Sequence, residues 1–307
     1  CADTIHGMAE LSGEEHRSAT VLEDLLERHG FTVERGLKDQ PTAFRAVYGN
    51  GPVRIGFMCE YDALASLQQD DVPYQQGNGG PGHGCGHNLL GAGSFAAAVA
   101  LKDYCRETGL RATVKYFGCP AEEDGGGKVF FARAGYFDKV DAVFAWHPGP
   151  ANYVSGQGCL AVTGVLYSFK GRTAHAAGAP FAGRSALDAA ELTNVAVNYL
   201  REHVPTDVRM HYVYTHAGDK PNIVPNYAEL WYYIRAASRK TMLDADRRVI
   251  LAAEGAAHAT ETRMETEELT RSPETLLNRT LMEAMHRQLE ICGAPRFTQQ
   301  DKDFAAA

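Results

Sequence analysis

The sequence lacks the features that mark membrane proteins and nucleic-acid-binding proteins. Its longest apolar stretches are short or rich in Ala and Gly and are interrupted by charge, so we expect neither a membrane-spanning helix nor a signal peptide. It has no run of Lys or Arg, and its net charge of -8 argues against nucleic acid or an anionic membrane surface as a partner. A small molecule is the expected partner.

The sequence also lacks a cysteine framework. Its seven cysteines are odd in number and irregular in spacing, which is typical of a reducing compartment where thiols stay free and some bind metal. We therefore expect a cytoplasmic protein. At 307 residues with 45% hydrophobic content, the chain is long enough for two domains with buried cores.

The first part of the chain has an α/β pattern. Ser12 and Glu15 form a capping-box pattern before a helix that ends at Gly30. Short segments that are apolar on both faces, typical of parallel strands covered by helices, alternate with helical segments. The strands are expected at 53–59, 113–117 and 142–146, and the helices at 89–105 and 128–134. This pattern predicts a three-layer α/β/α domain.

Polar residues follow each predicted strand. In such sheets ligands bind beyond the carboxyl ends of the strands. Thiolate, imidazole and carboxylate side chains together suit a site for two divalent metal ions, and we assign the site to Cys85, His87, Glu122, Glu123 and His147. Asp62, taken alone, is more simply a helix cap, and by residue type His83 is as good a ligand as His87.

The second part of the chain has the order strand, helix, strand, strand, helix, strand, which predicts a ferredoxin-like α+β domain inserted into the first. Capping-box patterns at Ser185 with Asp188 and at Thr241 with Asp244 mark its helices. Ser272 and Pro273 are expected to begin a further helix that ends at Gly293. The predicted bounds are 160–271 for the inserted domain, and 1–159 with 272–307 for the catalytic, metal-binding domain.

Six strings, spread over nearly the whole chain, resemble the cocatalytic-metal amidohydrolases and peptidases of the aminoacylase and carboxypeptidase G type, peptidase family M20. Within that family, the strings most resemble the p-aminobenzoyl-glutamate hydrolase group. The strings are Glu-Tyr-Asp-Ala-Leu at 60–64, Gly-His-Gly-Cys-Gly-His-Asn at 82–88, Cys-Pro-Ala-Glu-Glu at 119–123, Trp-His-Pro-Gly at 146–149, Gly-Arg-Thr-Ala-His-Ala at 171–176 and Pro-Asn-Ile-Val-Pro at 221–225.

The resemblance implies a role for each matching residue in the catalytic domain. Cys85 would bridge two divalent ions, Zn²⁺ or Mn²⁺, and the other ligands would be His87, Glu123 and His147. Asp62 would not bind the metal itself but would orient one of the ligands by a hydrogen bond. Glu122 would be the general base that activates water for hydrolysis of an amide bond in an N-acyl or aminobenzoyl amino acid or a small dipeptide. Glu122 and Glu123 can take these separate roles only if the chain turns after Pro120.

The resemblance also implies roles for the inserted domain, which would serve as a lid and a dimerisation domain. His175 would stabilise the negative oxygen of the tetrahedral intermediate from the neighbouring subunit. Asn222 and Arg235 would grip the substrate carboxylate. A lid that acts on the neighbouring subunit implies a homodimer, with 208–215 as a candidate edge strand for pairing.

The chain departs from the family pattern at one ligand. In the family pattern, one more His near the end of the catalytic domain completes the site. No residue after His147 in this sequence matches that His, so we expect the C-terminal part of the domain to be missing. Two alternatives remain open. Besides the metal-dependent hydrolase, these are a non-catalytic binding homologue with an incomplete metal site and a thiol hydrolase in which Cys85 is the nucleophile.

Overall fold

The computed structural model describes residues 1–37, 40–124 and 126–307. The chain divides into two compact units, which are Cys1–Asn152 with Ala294–Ala307, and Tyr153–Gly293. Among the described residues, no helix combines the length and the apolar character needed to cross a membrane.

The first unit is a three-layer α/β structure, as predicted. Its helices are α1 (Ala2–Met8), α2 (His16–Arg28), α3 (His87–Thr108), α4 (Gly127–Arg133) and α8 (Gln299–Ala306). Its strands are β1 (Thr32–Arg35), β2 (Phe44–Tyr48), β3 (Val53–Cys59), β4 (Ala112–Gly118) and β5 (Ala142–Phe144).

Helices cover both faces of this sheet because β4 is apolar on both sides. Tyr116 packs in a core with residues of α2 and α3, whereas Phe117 packs on the opposite face against Phe131 of α4. Alternate side chains of a strand point to opposite faces, so a single segment contributes to two cores.

The described strands of this unit form a sheet in the order β1-β2-β4-β3-β5. Strands β3, β4 and β5 are parallel, as predicted, but β1 and β2 are antiparallel additions that the sequence pattern did not indicate. β1 is short and exposed, and β2 carries Arg45 among its apolar residues, so neither has the continuous apolar run of a central strand.

The predicted capping box at the first long helix is wrong. Glu15 is the N-cap residue of α2, but its side chain makes no capping hydrogen bond. Instead, the Ser12 hydroxyl donates to Asp62, and Glu15 is fully buried with partners elsewhere in the unit. Both side chains are hydrogen-bonded, but their partners are distant in sequence rather than in the first turn of the helix.

The second unit has the predicted ferredoxin-like topology. Its strands are β6 (Ala161–Lys170), β7 (Arg209–His216), β8 (Tyr227–Ala236) and β9 (Arg263–Ser272), and its helices are α5 (Ala186–Leu200), α6 (Arg239–Ala259) and α7 (Arg279–Cys292). The sheet order is β7-β8-β6-β9 and all its pairs are antiparallel. α5 and α6 pack together and cover one face, with Tyr167, Leu230 and Tyr232 in the core between sheet and helices.

Three helix starts in this unit test the predicted caps. Ser185 is the N-cap of α5, as predicted, and accepts from the Asp188 N–H. The cap of α6 is Ser238 rather than Thr241, whose own N–H donates to the Ser238 hydroxyl. Ser272 and Pro273 do not begin α7, because β9 extends to Ser272 and Asn278 caps the helix, although Gly293 does end it.

The segments that flank the ferredoxin-like core belong with it. Thr275 and Cys159 exchange two hydrogen bonds, both at 3.2 Å. The compact inserted unit, 153–293, is therefore longer at both ends than the predicted 160–271.

We predict that Ser238→Ala lowers the free energy of unfolding by about 1 kcal/mol, because the first turn of α6 loses its side-chain acceptor. Urea denaturation followed by circular dichroism measures the change. Thr241→Ala is the matched control and is expected to lose less stability, since it removes the hydroxyl contact with Ser238 but leaves the Ser238 oxygen to accept from the N–H of residue 241. A larger loss for Thr241→Ala than for Ser238→Ala would contradict the assignment.

Candidate metal centre

The carboxyl ends of three parallel strands meet at one edge of the first unit. Glu60 and Asp62 follow β3, Glu122 and Glu123 follow β4, and His147 follows β5. The loop after β3 returns to the same edge, where α3 begins at His87.

Gly86 allows the loop to enter α3 at this edge. Its φ of 73° lies in the left-handed region, and a Cβ there would come within 2.9 Å of Pro148. Any larger residue would thus be strained and would also press on the neighbour of His147. Glycine at this position keeps Cys85 and His87 beside the 147–148 segment.

The turn that the two adjacent glutamates need is present. Ala121, directly after Pro120, has a φ of 53°, a conformation that non-glycine residues adopt rarely. Residues 122–124 form a turn rather than an extended segment. The side chain of Glu122 is consequently exposed, whereas the Oε1 atom of Glu123 is buried.

Asp62 is the hydrogen-bonding hub of the site. It is 1% exposed, and its Oδ1 lies 2.8 Å from His87 Nδ1 while its Oδ2 accepts from Ser12 Oγ at 2.8 Å and from the Glu123 N–H at 3.0 Å. Burial opposes the charge, but these hydrogen bonds outweigh burial and lower the pKa of Asp62. A carboxylate can only accept, so His87 carries its proton on Nδ1 and presents the lone pair of Nε2 to the site.

Cys85, His87 and His147 form a group whose ligand atoms lie within 4.8 Å of one another. The Sγ of Cys85 is 3.3 Å from His147 Nε2, and the two imidazole rings are edge-on, with centroids 5.6 Å apart. The structure therefore brings three of the four predicted ligands together. His83 belongs to neither ligand group found among the described residues, and its Nε2 lies 3.2 Å from the Ile5 carbonyl oxygen.

A second group contains Glu60, which the sequence analysis did not assign to the site. Its ligand atoms, with those of His87 and Glu122, again lie within 4.8 Å of one another. Glu60 Oε2 is 3.1 Å from His87 Nε2, and the other carboxylate oxygen pairs with Lys128. Its position directly after β3 is the sequence feature that could have indicated a site residue. Its partner Lys128 lies 68 residues further along the chain, so the sequence alone did not indicate their contact.

Three buried ligand atoms in this region have no hydrogen-bond partner. They are His87 Nε2, Glu60 Oε2 and Glu123 Oε1, and His87 Nε2 lies 3.9 Å from the Glu123 oxygen. Buried polar atoms are nearly always satisfied, so acceptor atoms that face one another indicate a candidate cation site. Their separations suit a shared divalent ion with bonds of about 2.0–2.2 Å to nitrogen and oxygen.

Burial and the surrounding charges together shift the pKa values of His87 and Cys85. Burial disfavours the imidazolium of His87, but Asp62, Glu60 and Glu123 outweigh it and raise its pKa. Burial and the neighbouring carboxylates, Glu123 first, raise the pKa of the Cys85 thiol to about 11. Without a cation nearby, Cys85 is therefore protonated at neutral pH.

The remaining predicted site residues lie in the inserted unit. His175 is exposed, and its Nδ1 accepts from the N–H groups of Ala177 and Gly178 at 3.2 and 3.0 Å. Its proton is therefore on Nε2. Asn222 lies beside it, since the Ala176 N–H donates to the Asn222 carbonyl oxygen at 3.1 Å.

Arg235 does not lie beside these residues within one chain. Its guanidinium lies over the ring of Tyr233, 5.5 Å from the centroid. Tyr227, at the start of β8, pairs with Lys170, whereas Arg235 is near the end of β8 and pairs with Val162. At about 3.3 Å per residue, the eight steps between Tyr227 and Arg235 span about 26 Å.

Comparison with known proteins identifies the family. The model of peptidase family M20/M25/M40 matches residues 56–302. The chain belongs to this family. The resemblance inferred from the six strings is thereby confirmed.

Curated relatives in the family include amide and peptide hydrolases. The chain is 42% identical to one of the subunits of p-aminobenzoyl-glutamate hydrolase from Escherichia coli, over 99% of its own length and 64% of the relative. It is 36% identical to Xaa-Arg dipeptidase of Mus musculus over 76% of its own length. The chain thus spans 64% and 53% of the lengths of these two relatives.

Solved structures share the fold. A dinuclear metal-binding peptidase of the M20 family from Bacillus subtilis matches with a TM-score of 0.71 at 21% identity, over 95% of this chain and 78% of that one. A putative aminohydrolase from Staphylococcus aureus matches with a TM-score of 0.76 at 17% identity, over 92% and 78%.

We predict that Glu60→Gln lowers the affinity of the protein for Zn²⁺ by about 10- to 100-fold, because the site loses a buried anionic oxygen next to His87 Nε2. Isothermal titration calorimetry on the metal-free protein measures the effect. Glu23→Gln is the matched control, since Glu23 is also buried but pairs with Arg35. Equal affinities in wild type and Glu60→Gln would show that Glu60 serves only as the partner of Lys128.

Proposed function

We propose that the protein hydrolyses an amide bond in an N-acyl or aminobenzoyl amino acid or a small dipeptide, with two divalent metal ions, Zn²⁺ or Mn²⁺, as cofactors. The observation that supports this most is the convergence of thiol, imidazole and carboxylate groups, with unpartnered ligand atoms, at one sheet edge. The names of the relatives support the substrate class. Bound at this site, the metal ions would lower the pKa of a water and polarise the substrate carbonyl.

Cys85, His87, Glu123 and His147 are the proposed protein ligands, with Glu60 added from the geometry. Asp62 keeps the proton of His87 on Nδ1, away from the metal side.

Glu122 is the proposed general base. Its carboxylate is exposed toward solvent yet within 4.8 Å of the ligand atoms of His87 and Glu60. Loss of hydration and the negative charge of Glu60 raise its pKa, which improves its ability to accept a proton. It would take the proton of the attacking water and deliver it to the leaving amine.

His175 is the proposed oxyanion donor. Because two backbone N–H groups occupy Nδ1, its Nε2–H is free to donate to the negative oxygen of the tetrahedral intermediate.

Asn222 and Arg235 are the proposed anchors of the substrate carboxylate, and their placement supports a homodimer. The two lie toward opposite ends of the sheet in one chain, so they can meet at one substrate only if they come from different chains. We propose that the inserted unit acts as lid and dimerisation domain, with β7 as the edge strand that pairs. A heteromeric partner is a second candidate, because the E. coli relatives include two different subunits of p-aminobenzoyl-glutamate hydrolase.

The thiol-hydrolase alternative finds little support in the site. A nucleophilic cysteine needs a lowered pKa, whereas burial and the neighbouring carboxylates raise the pKa of Cys85 to about 11. All seven cysteines are unpaired, which supports the proposed cytoplasmic location.

We predict that Glu122→Gln lowers kcat by about 10²- to 10⁴-fold, because an amide cannot accept the proton of the water. Metal content, measured by inductively coupled plasma mass spectrometry, is expected to stay unchanged. Assays use p-aminobenzoyl-glutamate and a panel of N-acyl amino acids and dipeptides. Asp124→Asn, an exposed acid two residues away, is the control and should retain activity. Unchanged turnover in Glu122→Gln would rule out Glu122 as the base.

We predict that chelation abolishes hydrolysis and that Zn²⁺ or Mn²⁺ restores it, because the carbonyl and the water both depend on the cations. The same substrate panel measures the activity. Turnover that survives complete metal removal would favour the Cys85 nucleophile, and metal binding with no turnover of any substrate would favour a binding homologue.

We predict that Glu122→Gln and His175→Ala, each inactive alone, recover about one quarter of wild-type activity when mixed under subunit exchange, because half the dimers then hold one intact site. Activity assays before and after exchange measure the recovery. Failure to recover in confirmed mixed dimers would show that His175 acts within its own chain.

A further inference from the structure

We infer that Glu15 is a positioning residue, whose buried carboxylate holds the backbone turn that presents Glu122 and Glu123. This inference rests on the proposed function. Glu15 lies outside both ligand groups and is fully buried at the start of α2.

The contacts of Glu15 link three distant parts of the first unit. Its Oε1 accepts from the Ala121 N–H at 2.8 Å, and its Oε2 accepts from the Thr42 hydroxyl at 3.0 Å. The Thr42 carbonyl oxygen in turn accepts from the buried Tyr61 hydroxyl at 2.6 Å. The carboxylate therefore links residue 121 by hydrogen bonds to the segment before β2. That segment is in turn hydrogen-bonded to Tyr61, just after β3.

The hydrogen bond from Ala121 to Glu15 is made by the strained residue of the turn. Ala121 has a φ of 53°, and a side chain in that region is unfavourable unless the surroundings hold it. Two hydrogen bonds hold this turn from the protein interior. Glu15 takes the Ala121 N–H, and Asp62 takes the Glu123 N–H. Glu122 lies between these two fixed points, so its backbone position depends on both.

Burial of Glu15 has no simpler structural explanation. Its side chain makes no helix-capping bond, and among the described residues no Lys, Arg or His side chain forms an ion pair with it. A buried carboxylate without a counter-charge is costly, and an apolar side chain would fill the same place at lower cost. What an apolar side chain cannot do is accept the Ala121 N–H.

Glu15→Met tests the inference because it keeps the length of the side chain and removes both acceptors. We expect kcat to fall by about 10- to 100-fold while KM stays within about threefold, since the base moves but the substrate contacts remain. Hydrogen exchange of a peptide covering 119–124, followed by mass spectrometry, should become about tenfold faster or more, because the Ala121 N–H loses its acceptor and the turn is held less firmly.

Glu15→Gln and Glu23→Met serve as controls. Glu15→Gln should restore kcat and exchange to within about threefold of wild type, because its amide oxygen still accepts from the Ala121 N–H. Glu23→Met removes another buried carboxylate from the same helix, one that pairs with Arg35. It is expected to lower the melting temperature without changing kcat or the exchange of 119–124.

The outcomes separate this inference from the proposed function. Wild-type kcat in a folded Glu15→Met would overturn the positioning role, and so would exchange that changes no more than in Glu23→Met. If Glu15→Met does not fold, Thr42→Val carries the same test, because it removes the hydroxyl that holds Oε2. If the wild type hydrolyses no substrate of the panel, the proposed function fails, and the exchange of 119–124 alone decides whether Glu15 holds the turn.

Discussion

The buried carboxylate of Asp62 is the interaction on which the site depends. A charge with 1% exposure is stable only if its lone pairs are satisfied, and here the three partners come from the segment before α2, the start of α3 and the turn after β4. These segments are far apart in sequence, so satisfying one carboxylate brings the turn that carries Glu122 and Glu123 beside the helix start that carries His87. The parallel strands supply the common edge, and Asp62 fixes the orientation of the groups on it.

The same region concentrates negative charge. Glu60, Asp62, Glu122 and Glu123 surround His87, and in the described part of the chain the Lys or Arg that pairs with them is Lys128, through Glu60. Burial, reinforced by this crowding of negative charge, raises the pKa values of Glu122 and Cys85. A divalent cation would relieve the repulsion and favour the thiolate, so the features that disfavour a free nucleophilic cysteine favour a metal ligand.

Local patterns predicted the fold well where one segment carries the whole signal. β3, β4, β5 and the ferredoxin-like order follow from apolar runs and periodicity. The candidate ligands Glu123 and His147 follow from strand ends, whereas the choice of His87 over His83 came from the family resemblance. The errors arise where the deciding contact is remote. Ser12 and Glu15 have the spacing of a capping box, but their partners Asp62 and Ala121 lie 50 and 106 residues away. The sequence did not indicate Glu60 for the same reason. Its contacts with His87 and Lys128 join residues that are distant in the chain and meet only in the folded protein.

In the inserted unit, the covalent geometry of a strand fixes the distance between the proposed substrate-binding residues. A strand rises about 3.3 Å per residue, so residues toward opposite ends of β8 remain about 26 Å apart however the side chains rotate. His175 and Asn222 are held at one end by backbone hydrogen bonds, and Arg235 is held near the other by its place on the strand. No small substrate spans that distance. If both anchors serve one small carboxylate, a single chain is insufficient, and the need for a second chain follows from the rigidity of the sheet rather than from any motif.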